Sequence, residues 1–381
     1  MIVSSLQKDD VLINIVGATT DVIGRCAILS SNFPQANITQ AMALLRINNE
    51  YINILKPHYL FAYLISKEGH KQVRQIARPT GQFNMNIKEV GSFLIPLLRF
   101  KFQTHIEKVI KESEIATNRA LTIYNQADTL LLNALGMADF SPSTENVNVK
   151  SFKESFLVTG RLDAEYYQPK YEQPIEQLKS LPHNTLNKIA TFSNGATPLG
   201  ATYLEEGIPF LRIQNIGDNQ LNIDDVVYIE PEIHNSLLQR SQLNQGDVLI
   251  TITGRIGTSC VVSEDLPVGN INQHIVRLRL KDKQIQPYYL STFLNSIGGR
   301  LQTEREAYGT TREALPYHCL EKIIVPYAPI ELQNEITTTV LNAQRYNKKA
   351  KHLLMVAKRA VEIAIEQDEA AGMAYIEANI E

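Results

Sequence analysis

Along two stretches of the chain, apolar residues recur at alternating steps of three and four. The first stretch runs Ile106, Val109, Ser113, Ala116, Ala120, Ile123, Ala127, Leu130 and Ala134. The second, offset by 230, runs Ile336, Thr339, Ala343, Tyr346, Ala350, Leu353, Ala357, Ala360 and Ala364. That spacing is the heptad a/d pattern, which gives a helix one continuous apolar seam. Many of the seam residues are alanines, which let two helix axes approach closely. The pattern therefore predicts two long helices paired as an intramolecular antiparallel coiled coil, with a lobe at each end. Each helix would be about 50 Å long at 1.5 Å per residue. Gly136 predicts the end of the first helix, with Pro142 beyond it.

The segments ahead of each helix are mixed. In the second lobe, short apolar runs predict strands at Leu186–Ala190, Pro209–Ile213, Val248–Ile252, Ile275–Leu280 and Ile323–Val325, with a helix over Tyr288–Leu301. The first lobe shows the same order through Val11, Ile38, Leu44, Tyr59–Ile65 and Phe93–Ile95. Gly-Asp-Val-Leu-Ile-Thr-Ile-Thr-Gly at 246–254 echoes Asp-Asp-Val-Leu-Ile-Asn-Ile-Val-Gly at 9–17. Likewise Gly-Asn-Ile-Asn-Gln at 269–273 echoes Ala-Asn-Ile-Thr-Gln at 36–40. Two large copies of one unit in tandem predict an α+β fold with internal two-fold pseudo-symmetry. The copies are unequal, because about 84 residues lie between Arg161 and Gly246 whereas only eight precede Asp9. The first lobe is therefore expected to lack the first half of the unit.

Composition narrows the class. The chain has 381 residues, 44% of them hydrophobic and 20% charged, as in a globular protein with room for two cores. No apolar run is long enough to cross a membrane and no leader opens the chain, so a cytoplasmic address is expected. Cys26, Cys260 and Cys319 have neither zinc-site nor disulfide-framework spacing. The net charge is −3, but residues 362–381 carry Glu362, Glu366, Asp368, Glu369, Glu377 and Glu381 without a Lys or Arg. The rest of the chain is thus mildly basic, which permits a polyanionic partner without requiring one.

Several motifs together resemble the DNA-specificity subunit of type I restriction-modification systems. They are Leu-Asp-Ala-Glu-Tyr-Tyr at 162–167, Ser-Asn-Gly-Ala-Thr-Pro at 193–198, Ile-Pro-Phe-Leu-Arg at 208–212 with Asn215-Ile216, Gly-Asp-Val-Leu-Ile at 246–250, and Val325-Pro326 followed by Glu-Leu-Gln-Asn-Glu-Ile at 331–336. Their order, their duplication and the paired heptads are more specific than any one of them. The resemblance implies a partial first target recognition domain (1–100), a spacer helix (101–136), a linker (137–160), a second target recognition domain (161–330), a second spacer helix (331–369) and an acidic tail (370–381). It also implies double-stranded DNA as ligand, two methyltransferase subunits docked on the helices and ATP-dependent restriction (translocase) subunits. S-adenosylmethionine, ATP and Mg would then be held by the partners. The alternative is a truncated or regulatory specificity-subunit fragment, a methyltransferase adapter with one competent DNA-reading domain.

The catalytic motifs of that chemistry are missing. Gly195-Ala-Thr-Pro-Leu-Gly200 is followed by Ala201 where a P-loop needs Lys, and no Asn-Pro-Pro-aromatic or Asp-Pro-Pro-aromatic tetrapeptide occurs. The chain is expected to be non-catalytic by itself and to hold no metal. Function then falls to polar loops, since base edges are read by Arg, Asn, Gln, Thr and Ser. The second lobe offers Thr197, Arg212, Gln214, Asn215, Arg255, Asn272 and Gln273, then the turn Tyr308, Gly309, Thr310, Thr311 and Arg312. Matching positions in the first lobe are Gln40, Thr80, Gln82 and Asn84, with Gly81 opposite Gly309. Arg74, Arg78, Arg300 and Arg305 suit phosphates. Each has a plainer role open to it: Thr197 before Pro198 can shape a turn, Arg212 can be a surface ion-pair partner, and His274 suits a fold hydrogen bond.

Overall fold

The computed structural model describes residues 5–19, 22–30, 33–198, 203–309 and 313–380. Its contacts divide the chain into two units, residues 1–120 with 345–381, and residues 121–344. The first unit contains β1 (Val11–Asn14), β2 (Val16–Gly17), β3 (Cys26–Ile28), β4 (Met42–Leu45), α1 (Pro57–Leu64), α2 (Lys67–Ile76), β5 (Arg78–Thr80), β6 (Gln82–Asn84), α3 (Ile87–Val90) and the start of α4 (Phe100–Ala134). β1 is the central strand of an antiparallel sheet of order β3-β1-β4, and β6 pairs with both β2 and β5.

The second unit adds α5 (Phe156–Thr159), α6 (Pro169–Lys179), β7 (His183–Thr185), α7 (Leu186–Ile189), β8 (Ala190–Asn194), β9 (Ile208–Leu211), β10 (Ile216–Gly217), β11 (Gln220–Leu221), β12 (Val227–Ile229) and α8 (Pro231–Asn235). Then come β13 (Val248–Thr251), β14 (Ser259–Val261), β15 (Asn270–Ile271), β16 (Ile275–Leu280), α9 (Pro287–Asn295), α10 (Ile297–Glu306), α11 (Tyr317–Leu320) and β17 (Ile324–Pro326). The long α12 (Ile330–Glu366) and α13 (Glu369–Asn379) complete the chain, so the acidic tail is largely helical. The main sheet here has order β14-β13-β16-β8, all antiparallel, beside a second sheet of order β12-β9-β15.

The repeat holds at the level of single hydrogen bonds. Buried Asp10 accepts from Arg46 Nε and Nη2, both at 2.7 Å, and from the amide of Gln7 at 2.6 Å. Asp247 accepts from Arg279 Nε and Nη2, again at 2.7 Å, and from the amide of Asn244 at 2.8 Å. Gln103 receives the Lys56 amide at 2.8 Å and donates to the carbonyls of Ile54 and Leu98. Gln333 receives the Gln286 amide at 2.8 Å and donates to Gln284 and Ala328. The hydroxyls of Tyr59 and Tyr289 donate to the carbonyls of Pro96 and Pro326.

The two copies of the central strand are covered differently. β13 is buried at every position: Val248 and Ile250 join the core that holds Tyr289 and Phe293, whereas Leu249 packs with Cys260, Leu211 and Ile271 on the other face. In β1, Val11 and Ile13 are buried but Leu12 and Asn14 are only half-buried. Part of the cover on that face, Leu211 of β9 and Ile216 of β10, precedes the segment that matches the start of the first unit. Asn219, at the tip of the β10–β11 hairpin, shows the difference. Its amide donates to Ser259 O at 2.9 Å, its Oδ1 accepts from Ser291 Oγ at 2.8 Å, and its carbonyl accepts from Gln344 Nε2 at 2.8 Å. The positions matching those three contacts are Cys26, Phe61 and Glu114, which line an open cavity of about 350 Å³.

The helices pair within each unit. In the first, Ile106, Val109 and Ile110 of α4 pack with Leu353, Ala357 and Ala360 of α12. There Ser113 Oγ donates to Ala350 O at 2.8 Å, while Phe102 and Ala364 both adjoin Gly372, so the two segments run antiparallel. In the second unit Ala127 and Leu131 share a core with Ile336 and Val340. Ala116, Ala120, Ile123, Ala343, Ala350, Leu353 and Ala357 are buried as the heptads require. Leu130, Thr339 and Tyr346 are only half-buried and Ala134 is exposed, while Leu131, Leu135 and Val340 take the inward positions. A straight helix of 3.6 residues per turn drifts away from a 3.5 repeat, and steps of four from Ile123 onward follow that drift.

Three expected elements differ. Leu186 and Ile189 share one buried face at helical spacing and form α7, so the strand starts only at Ala190. The helix expected over Tyr288–Leu301 is broken at Ser296, whose hydroxyl donates back to Phe293 O at 2.7 Å. Phe93–Ile95 is not a strand: β17 at the matching place pairs with β7, whereas Leu94 has its amide and carbonyl bonded by the side chain of Gln72.

The first unit carries an acid-sensitive ion pair. Burial pushes the Glu107 carboxyl up, but hydrogen bonds from Lys111 and Lys56, both at 2.6 Å, outweigh it and bring the pKa down to about 2. The folded value lies below the unfolded one, so this contribution is present above pH of about 4.5 and fades as pH falls toward 2. Glu107→Gln is expected to flatten that part of the acid response, as read by urea midpoints between pH of about 5 and 2.5.

Candidate functional site

At one rim of the second unit, the C-terminal end of β13 meets the end of β8 and the start of β16. Ile252 N donates to His274 O and Leu315 N to Ile252 O, which draws three chain segments together. Gly195 fits tightly against the carbonyls of Ile271 and Asn272, and this brings Thr197 into a hydrogen bond with Gln273. Thr253 Oγ1 lies 2.8 Å from His274 Nδ1, and Thr253 and Tyr308 each form a β-bridge with Ala314. Asn272 N donates to Leu211 O, so the segment entering Arg212 belongs to the same rim.

The expected site residues divide into two groups. Thr197, Gln214, Arg255, Gln273, Tyr308 and Gly309 are exposed on or beside this rim, and Gly309 has a φ of 111°, a conformation open to glycine. Asn215 and Asn272 are corrections. Asn215 is fully buried, accepting from Arg212 N at 2.8 Å and donating to Asn222 O at 2.9 Å. Asn272 is buried and accepts from the amide of His274. Both amides hold the backbone from which the exposed residues project, which leaves Asn215 no edge for a ligand and commits the Asn272 side-chain oxygen. Arg212 is half-buried, its Nη2 donating to Asp225 O at 3.1 Å. Thr310, Thr311 and Arg312 lie outside the described residues.

Two of the basic residues near the rim share one carboxylate. Arg255 and Arg300 both reach Asp218, an acid whose type does not mark it as a base reader. Arg305 Nε donates to Tyr166 O at 3.1 Å. In the first unit, β5 and β6 form the hairpin that corresponds to Tyr308–Ala314, with Gly81 at its tip at a φ of 82° and no heavy atom within 4 Å of a Cβ built there. Gln82 is exposed and Asn84 half-buried, with Asn84 Nδ2 donating to Gln82 O. Gln40 is exposed near Ala41, whose carbonyl accepts from Ile15 N at the end of β1. Thr80 lies in β5, but its side chain is outside the described residues. Arg78 is paired with Glu89 at 2.5 Å.

The rim of the second unit thus presents hydroxyl, amide and guanidinium side chains from segments anchored on a sheet, and the first unit presents the amides of Gln40 and Gln82. Such a surface can exchange hydrogen bonds with base edges; among the described residues no group of three or more His, Cys, Asp or Glu could hold a metal ion. No helix among them is long and apolar enough to cross a membrane.

Residues 184–350 match the family model described as the type I restriction modification DNA specificity domain. The type I restriction enzyme EcoBI specificity subunit of Escherichia coli is 28% identical over 205 residues, 50% of this chain and 43% of that protein. The chain therefore spans less than half the length of this relative. Of the solved structures, the HsdS subunit from Thermoanaerobacter tengcongensis aligns over 96% of this chain and 82% of its own, at 16% identity and a TM-score of 0.36. The S subunit of the type I restriction-modification system from M. genitalium aligns over 93% and 82%, at 15% identity and a TM-score of 0.41.

Proposed function

We propose, from a chain whose residues 184–350 carry a type I restriction modification DNA specificity domain, that it is a sequence-specific double-stranded DNA-binding subunit that reads a bipartite target, one half-site with each unit. The observation that carries this reading is the rim of the second unit, where Thr197, Gln273, Arg255 and Tyr308 project from one anchored set of strand ends. The twinned Asp–Arg and Gln brackets support a corresponding reading head in the first unit. The exposed faces of α4 and α12 serve as docking surface for two methyltransferase subunits. Those partners hold S-adenosylmethionine and flip and methylate adenine. ATP-dependent translocase subunits, with ATP and Mg, cut unmodified DNA. This chain supplies specificity and no catalytic group.

Co-expression with a methyltransferase subunit followed by modification mapping tests the reading. A two-part motif of methylated adenines is expected. Thr197→Ala combined with Gln273→Ala is expected to weaken discrimination in one half-site by about ten- to a hundredfold, the scale of a lost base contact. A motif that the double substitution leaves unchanged would remove this rim from the reading surface.

A further inference from the structure

One part of the second unit is not used by the rim contacts described so far. Arg161, between α5 and α6, has its guanidinium carbon 4.3 Å from the ring centroid of Tyr166 and 4.1 Å from that of Tyr308. Arg305 lies 4.1 Å from the centroid of Tyr166, so cations and rings alternate as Arg305, Tyr166, Arg161 and Tyr308. Asp163 fixes the end of the series, accepting from Arg161 Nε at 2.8 Å and also from Nη2. Glu306 accepts from the Tyr166 hydroxyl at 3.1 Å. The Arg161 side chain is only 10% exposed, and its Nη1 has no hydrogen-bond partner among the described residues. A guanidinium is planar and weakly hydrated, so it engages ring faces at lower desolvation cost than an ammonium would.

Tyr308 is where this series meets the candidate reading surface. Its amide donates to Ala314 O at 2.9 Å and its carbonyl accepts from Ala314 N at 2.8 Å, which closes the base of the turn. Gly309 follows at a φ of 111°. Holding the Tyr308 ring therefore holds the residue whose amide and carbonyl are paired with Ala314. We propose that Arg161 is a positioning residue for the bridge that closes the Tyr308–Ala314 turn, clamping Tyr308 so that this residue is presented to DNA in one conformation. The inference rests on the DNA-reading role of that turn and adds a determinant of specificity, Arg161, that touches no base.

The test uses the full chain with four substitutions. Without DNA, Arg161→Gln and Tyr308→Leu are each expected to raise amide exchange at Ala314 about tenfold, the scale of one partly buried cation–π contact. The double substitution should add little to either, because the two residues act through one contact. Tyr308→Phe should leave exchange unchanged, since only the ring face is engaged, while Arg161→Lys should recover part of the protection. Exchange in β13 serves as the control for global unfolding. In the assembled methyltransferase, Arg161→Gln is expected to lower discrimination at the second unit's half-site about tenfold while the salt dependence of binding stays the same. Unchanged Ala314 exchange in Arg161→Gln, or additive effects in the double substitution, would overturn the clamp. A tenfold rise in exchange with discrimination intact would keep the clamp but sink the role of the turn in reading DNA.

Discussion

Gly195→Ala is expected to destabilise the second unit by about 3 kcal/mol, near the upper end for forcing atoms into a filled space. A Cβ built at this position would stand 2.0 Å from Ile271 O and 2.3 Å from Asn272 O, and both are backbone atoms. No rotamer change can relieve the clash. The strand β15 that carries Ile271 pairs with β9, and Asn272 N is bonded to Leu211 O, so displacement would travel into the second sheet. The same movement would part Thr197 from Gln273 and lower half-site discrimination together with stability. Gly91→Ala is a suitable control, because Gly91 has a right-handed φ of −65° and its added Cβ would lie 3.4 Å from its nearest neighbours. Chemical denaturation of the two variants decides the matter. A Gly195→Ala midpoint no lower than that of Gly91→Ala would mean that the β8 end is not packed as tightly as described.

A second large loss is expected at the twin glutamines. Gln333 is 1% exposed and Gln103 is 0% exposed, and each joins one backbone amide to two backbone carbonyls. Replacement by leucine preserves most of the volume but strands three polar groups. Each stranded group costs about 1–3 kcal/mol when fully buried. The Gln286 and Gln284 backbones are partly reached by solvent, so about 3 kcal/mol in all is a fair expectation for Gln333→Leu. Gln103→Leu should cost a similar amount, and the two losses should add because the residues share no partner. Hydrogen exchange should place the first loss around α9 and the second around α1. A loss below about 1 kcal/mol in either would show that water replaces the glutamine.

Much of this was legible in the sequence, for physical reasons that differ from element to element. Ile-Val-Arg-Leu-Arg-Leu alternates and became β16; the heptads became α4 and α12. Ser296 gives no sign of a break in the apolar pattern, which runs on through it. The signal was in the repeat: Ser296 and Gly299 match Ser66 and Gly69, and at both glycines the next helix turns back so closely that a Cβ would meet backbone at 2.4 Å. Within the site, residue type picked out the exposed Thr197, Gln214 and Gln273, yet it gave equal weight to Asn215 and Asn272. An amide that reads a base and an amide that ties a turn are the same residue in sequence. Only the backbone groups within its reach distinguish them, and those are brought close by the fold. Nothing local singles out Arg161, because Asp163 and Tyr166 are its near neighbours while the ring that links it to the rim, Tyr308, lies far along the chain.

The unequal surroundings of β1 and β13 make the molecule its own control experiment. Where the two copies share an environment, as at Asp10 and Asp247, one substitution can be made twice and should report the same energy. Where the environments differ, as at Cys26 and Ser259 or Glu114 and Gln344, the identical change has a different context in each copy. Subtracting one result from the other isolates what the hairpin bearing Asn219 contributes to its neighbours, within a single polypeptide and a single set of conditions.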